Sequence, residues 1–176
     1  MTGATKAQAP PAGPGSRGAA ALFVGVQFAL IAALVAIPNG SSWTLRGPAA
    51  WLALAAQVAG ALVMVVAALG LGRGLTPMPL PNERTRLRTT GPYRWVRHPI
   101  YSGLLAFTAA LAAGSGSLGA VGLVAVLAAV LTAKARWEET YLCRTFDGYA
   151  QYAETTGRFV PPLRRHLCRV PRRLSH

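Results

Sequence analysis

The chain has 176 residues, 52% of them hydrophobic and 13% charged, with 18 Lys and Arg against 5 Asp and Glu. That is too apolar for an ordinary soluble domain of this length. The basic residues lie between apolar runs, so they read as membrane topology signals and exclude a dedicated nucleic-acid surface.

Residues 1–18 are Ala, Pro and Gly punctuated by Lys6 and Arg17, and predict a disordered cytoplasmic tail. Residues 19–37 carry no charge, and at about 1.5 Å per residue they span about 28 Å, close to the hydrocarbon thickness. The run is long for a signal-peptide core and no small-x-small cleavage site follows it, so it predicts a first spanning helix, ended by Pro38-Asn39-Gly40. Residues 49–71 predict a second, closed by Gly70, Gly72 and Gly74. Residues 100–113 and 118–133 are each short for a span, and Gly114-Ser115-Gly116-Ser117 turns one into the other. They predict a helical hairpin lengthened by Tyr101 at one end and by residues 134–143 at the other.

The fold class expected is therefore all-α and polytopic, with about four transmembrane helices, the last two a hairpin, plus short cytosolic helices. Cations are retained on the cytoplasmic side. The loop 39–48 has only Arg46 and the Gly-Ser turn has none, whereas 73–98 holds Arg73, Arg84, Arg86, Arg88, Arg94 and Arg97, and most of the rest follow Lys134. Four helices with both termini in the cytoplasm of a bacterial inner membrane satisfy every loop. Residues 19–162 form the membrane domain, and the basic tail 163–176 is expected to lie on anionic lipid.

Cys143 and Cys168 are too far apart for a zinc-ligand pair and read as free thiols in a reducing compartment; His166 and His176 read as solvated tail residues, and no metal site is expected. The chemistry concentrates where the chain re-enters the membrane, at Thr90-Gly91-Pro92-Tyr93-Arg94-Trp95-Val96-Arg97-His98-Pro99-Ile100-Tyr101. Pro99 suits the first turn of a helix and holds His98 extended, so His98 stands at a helix entrance able to favour an anion. Read alone, the tyrosines and Trp95 are an interfacial belt and Arg94 and Arg97 contact headgroups.

A second cluster, Lys134-Ala135-Arg136-Trp137-Glu138-Glu139, puts adjacent carboxylates in a chain with few acids. Lys134 and Glu138 share a helical face and predict an ion pair, whereas Glu139 points about 100° away and needs another partner, which a cationic ligand would supply. Topology places both clusters on the cytoplasmic side at the two ends of one hairpin. A ligand with a cationic centre, a carboxylate and a flat ring would match them, and S-adenosylmethionine has all three.

GPYRWVRHPIYSG followed by KARWEETYLCRTFDGYAQYAETTGRFVPP resembles the isoprenylcysteine carboxyl methyltransferase and phospholipid methyltransferase superfamily, over roughly residues 70–162. The preceding TPMPLP is similar to bacterial members, and Gly70-Leu71-Gly72 resembles a GxG element of the phospholipid branch. The resemblance implies a membrane-embedded enzyme that uses S-adenosylmethionine on the cytosolic side and takes a hydrophobic or lipid-like acceptor from the bilayer. It implies cofactor contacts by Tyr93, His98, Pro99, Ile100, Tyr101, Glu138 and Glu139, and by the segment Arg86, Leu87, Arg88 and Thr89. Lys134 stands where similar enzymes have a substrate-facing arginine, with Arg136 the nearby substitute. No residue is assigned a catalytic acid or base role. O-methylation of an isoprenylcysteine-type carboxylate is the leading expectation, with phospholipid N-methylation and small-thiol S-methylation as alternatives. A non-catalytic membrane subunit or small transporter is the rival class, and the scarcity of polar residues in the first two helices, Gln27 and Gln57 only, speaks against transport. In the segment 145–158, Asp147-Gly148 predicts a turn and Tyr149 and Tyr152 share a helical face, as in a cytosolic cap.

Overall fold

A computed structural model describes residues 14–72 and 87–162, so the expected tail over 1–13, Arg86, Cys168 and the basic C-terminal stretch fall outside the described residues. The helices are α1 (Pro14–Ala36), α2 (Pro48–Leu71), α3 (Pro99–Ser115), α4 (Leu118–Thr145) and α5 (Tyr149–Thr155), with a 3-10 turn over Gly91–Arg94 before α3. Among the described residues there is no strand, only an isolated parallel bridge between Val96 and Gly157.

Prolines set the starts. Pro14, Pro48 and Pro99 each open a helix, where the missing N–H costs nothing and the fixed φ is already helical. For α1 this moves the start to Pro14, inside the stretch 1–18 that composition alone marks as a tail. Gly116 in the left-handed region (φ 64) ends α3, and the Ser117 side chain accepts from Ala120 N at 3.4 Å to open α4, so the Gly-Ser turn closes the hairpin as its sequence predicts.

The segments Gly18–Ala36, Pro48–Leu71 and Leu118–Thr145 are long and apolar enough to cross a membrane, while α3, with 17 residues, is a shorter apolar helix. The protein is a multi-pass membrane protein whose outward Leu22, Val35, Trp51 and Leu69 lie exposed, as side chains solvated by lipid would. In space the helices neighbour one another in the order α1, α4, α3, α2. Leu30 and Ile31 of α1 pack on Leu104, Leu127 and Leu131, and Leu34 packs on Ala112 and Ala120. The tightest crossing is α2 on α3. A Cβ at Gly60 would stand 2.7 Å from Gly103 O, and one at Gly103 2.6 Å from Gly60 O, so the two backbones touch. Small residues permit such approach where lipid gives helices no hydrophobic reason to associate.

At one end of the bundle the α1–α2 loop is tied to the hairpin turn by Gly40 N to Ser115 O (2.8 Å), Ser42 N to Gly116 O (3.1 Å) and Trp43 Nε1 to Ala113 O (2.7 Å). The opposite end gathers the start of α3, the last turns of α4, α5 and residues 156–160.

Candidate functional site

The entrance to α3 is built from backbone. Gly91 takes φ +63 to start the 3-10 turn, which buries Tyr93 against the end of α2, its hydroxyl 3.4 Å from Ala67 O. The chain then runs extended beside residues 157–159: Arg97 N donates to Gly157 O at 2.8 Å, His98 N to Arg158 O at 3.1 Å, and Ser102 Oγ to Phe159 O at 2.7 Å. His98 and Tyr101, three residues apart, share one face and stack with ring centroids 5.3 Å apart and planes 2° from parallel. Phe159 meets both rings edge-on.

Opposite this stack, α4 presents its two carboxylates in different directions, as their 100° offset requires. Glu138 accepts from Tyr101 Oη at 2.7 Å and lies 3.4 Å from His98 Nδ1. Glu139 is enclosed: Arg97 Nε donates to it at 3.0 Å, Arg158 Nε at 3.0 Å and Arg158 Nη2 at 2.7 Å, and His98 Nε2 lies 3.2 Å away. Arg97 further donates to Ala153 O and Thr156 O, each at 2.7 Å, so its guanidinium clamps the end of α5 as well. The cation that Glu139 needs is thus supplied by the protein. Arg97 faces inward, and Arg94 is the arginine that remains outside, stacked over Trp95 at 5.1 Å.

Lys134, one turn deeper on α4, is 2% exposed. Its Nζ donates to Gln27 Oε1 of α1 at 3.0 Å and lies 5.2 Å from the centroid of the Tyr101 ring. The i, i+4 spacing that predicts pairing with Glu138 does bring the two charges into one neighbourhood, and the ammonium also bonds across to another helix. Arg136, two residues on and about 200° round the helix, is exposed on the far side and takes no place among these groups.

Of the other expected contacts, Pro99 is buried and Ile100 half-buried at the start of α3. Leu87 packs on the cluster of Phe146, Tyr149 and Ala153, Arg88 Nε donates to Gly70 O at 2.6 Å, and Thr89 is exposed. That segment therefore runs from α5 to the end of α2 and borders the site. The α5 cap begins at Tyr149 as the Asp147-Gly148 turn predicts, and Tyr149 and Tyr152 meet with centroids 5.9 Å apart. Tyr152 Oη donates to Tyr93 O, tying the cap to the 3-10 turn. Burial pushes the Tyr152 hydroxyl up to about 12, and raises Tyr93 and Tyr149 further above the ordinary tyrosine value.

The sequence reading did not single out Gln27, Arg158 or Phe159 as site residues, and it read Arg97 as a headgroup contact. Only Gln27 carried a signal, as an amide on the inward stripe of an otherwise apolar span. Among the described residues, no group of three His, Cys, Asp or Glu is placed to hold a metal ion.

These features define an all-helical membrane protein with a carboxylate, an aromatic stack and a buried lysine at one end of its bundle. The phospholipid methyltransferase family model matches residues 48–148, more than half of the chain, and the protein belongs to that family. The match runs from the start of α2 to the turn before α5 and contains His98, Tyr101, Lys134, Glu138 and Glu139; α1 and Arg158 lie outside it. The chain is also similar to the cobalt-zinc-cadmium resistance protein CzcN of Cupriavidus metallidurans, 36% identical over 83 residues, which are 47% of this chain and 38% of that protein. It thus spans well under half the length of that relative. No solved structure matches the chain.

Proposed function

We propose that the protein transfers the methyl group of S-adenosylmethionine to a hydrophobic or lipid-like acceptor at the cytosolic face of a bacterial inner membrane, with both termini in the cytoplasm. The observation that carries the proposal is the state of Glu138: a carboxylate oriented by the Tyr101 hydroxyl at 2.7 Å, beside the His98–Tyr101 stack, at the membrane-boundary end of α4. Such a group suits a cationic sulfonium or ammonium centre, and the aromatic faces of Tyr101, His98 and Tyr93 suit a flat ring beside it. Membership of a methyltransferase family and the loop cations, concentrated at this end, support the same reading.

The cofactor, when bound, supplies an activated methyl group. The chain's residues hold and orient. Glu138 would take the positive charge, and Tyr93, Pro99, Ile100 and the 87–89 segment would hold the ring; Glu139 holds Arg97 and Arg158 so that residues 156–160 stay seated over α3. Orientation and exclusion of water are the rate-determining contributions such a site can make.

Each ring nitrogen of His98 faces a glutamate oxygen, so neither nitrogen is directed at an acceptor proton. This favours an acceptor that needs no deprotonation, a carboxylate of the isoprenylcysteine type, with the Lys134 ammonium as its neighbour. A second reading, methylation of a phospholipid amine, is favoured by the description of the matching family.

Titration of S-adenosylmethionine and S-adenosylhomocysteine into the detergent-purified protein tests the proposal. Saturable binding lost in Glu138→Gln is expected; absence of binding to the wild type overturns it. The amino-phospholipid profile of an overproducing strain tests the amine acceptor: a rise in methylated headgroups selects the amine reading, and an unchanged profile excludes it.

A further inference from the structure

We infer that Phe159, in the segment after α5 and outside the family match, is a positioning residue of the site: it sets the Tyr101 ring so that the phenol hydroxyl meets Glu138. The inference rests on the proposed cofactor reading, in which Glu138 faces the cationic centre.

The Tyr101 hydroxyl orients Glu138 only where it can donate to the carboxylate, at 2.7 Å. The ring that carries it stacks on His98 with centroids 5.3 Å apart and planes 2° from parallel. Such a stack is offset, and it restrains the tilt of a ring more than its slide within the plane. The imidazole is seated from elsewhere, its Nδ1 3.4 Å from Glu138 and its Nε2 3.2 Å from Glu139. The phenol ring needs a stop at its side. Phe159 supplies one: its ring stands at 69° to the Tyr101 plane with centroids 6.3 Å apart, and at 67° to the His98 plane with centroids 6.1 Å apart. One ring thus crosses both members of the stack, in the edge-to-face arrangement that aromatic quadrupoles favour.

Backbone bonds put Phe159 there. Ser102 Oγ, one residue beyond Tyr101, donates to Phe159 O at 2.7 Å, His98 N donates to Arg158 O at 3.1 Å, and Arg158 Nη2 donates to Glu139 Oε2 at 2.7 Å. These bonds join the segment to α3 and α4, and none of them uses the Phe159 ring. The ring itself is half-buried on Leu104, Leu127 and Leu131. A shorter apolar side chain would still cover those leucines but would not cross the stack, so the contribution of the ring is separable from the seating of the segment.

The test is a double-variant cycle read by titration of S-adenosylhomocysteine into the detergent-purified full chain, which reports affinity without turnover. Phe159→Leu is expected to bind about tenfold more weakly, the loss of two aromatic pairs. Phe159→Met makes the same comparison if Phe159→Leu does not fold. Because the ring acts through the Tyr101 hydroxyl, its loss should matter little once that hydroxyl is gone: Phe159→Leu combined with Tyr101→Phe is expected to bind within about threefold of Tyr101→Phe alone, whereas a residue that only supports the fold would multiply the two losses to about a hundredfold. Wild-type affinity in Phe159→Leu, wild-type affinity in Tyr101→Phe, or multiplied losses in the double variant overturn the inference. A wild-type protein that does not bind S-adenosylhomocysteine overturns instead the proposed function on which the inference rests.

Discussion

The Tyr101 hydroxyl donates to the Glu138 carboxylate at 2.7 Å, joining the second residue after the Pro99 helix start to the last turns of the longest helix. The bond is charge-assisted and short, so it fixes the direction of the carboxylate as well as stabilising it. Tyr101→Phe keeps the ring that stacks on His98 and underlies Lys134, and removes only the donor. A hydrogen bond to a charged group is worth about 1.5–3 kcal/mol. We expect S-adenosylhomocysteine to bind about tenfold more weakly, or worse; unchanged affinity would show that Glu138 is not oriented from this side.

The two glutamates should separate in their effects. Glu139 holds Arg97 and Arg158 and is 13% exposed, so Glu139→Gln leaves two guanidinium groups without their carboxylate. Breaking a buried ion pair from one side costs about 3–5 kcal/mol. Glu139→Gln is expected to lower the unfolding temperature in detergent markedly, and Glu138→Gln to abolish ligand binding at nearly unchanged unfolding temperature. Equal unfolding temperatures for the two variants would contradict the division of roles.

The α2–α3 crossing has no room for a side chain. Gly60→Val or Gly103→Val forces backbones apart that now touch, and a folded, monodisperse preparation of either is not expected from size-exclusion chromatography. Gly122, on α4, has nothing within 4 Å of a built Cβ, so Gly122→Ala should purify as the wild type does. Comparable yields of all three would mean that the crossing is not fixed at Gly60 and Gly103.

Alkali should unfold the end of the bundle that carries α5. The Tyr152 hydroxyl is pushed up to about 12 by burial, and Tyr93 and Tyr149 are raised in the same direction. A folded pKa above the unfolded one means that the neutral phenols favour the native state below about pH 10, and that this contribution is lost as pH rises from there through the folded values. Tyrosinate absorbance at these positions should therefore rise together with loss of α5 helicity above about pH 10. Phenolate appearing at its ordinary pH with the circular dichroism intact would refute the burial of these hydroxyls.

Helix number, the hairpin and the proline start of α3 were legible because each is local, whereas the start of α1 at Pro14 was not. An uncharged run of sufficient length, a proline at a first turn and a Gly-Ser turn act through their own backbone. The candidate pocket was partly legible for the same reason: His98 and Tyr101 share a face by spacing alone, and so do Lys134 and Glu138. What spacing could not reveal was which neighbour each charge chooses. Arg97 looked like a headgroup contact because it stands among aromatic residues at a membrane boundary, yet the chain at residues 157–159 pairs with it and turns it inward onto Glu139.

The sequence by itself determined an all-helical membrane protein and the two ends of the hairpin where its polar groups gather, since hydropathy and periodicity fix how far a helix runs and which face it offers. The tertiary structure alone decided the partners. Gln27 lies 107 residues from Lys134, Arg158 lies 19 from Glu139, and Gly60 meets Gly103 across two helices, because these contacts depend on how helices are laid side by side. In a low-dielectric bundle a charge is stabilised by whichever group packing brings to it, and packing is a property of the whole chain.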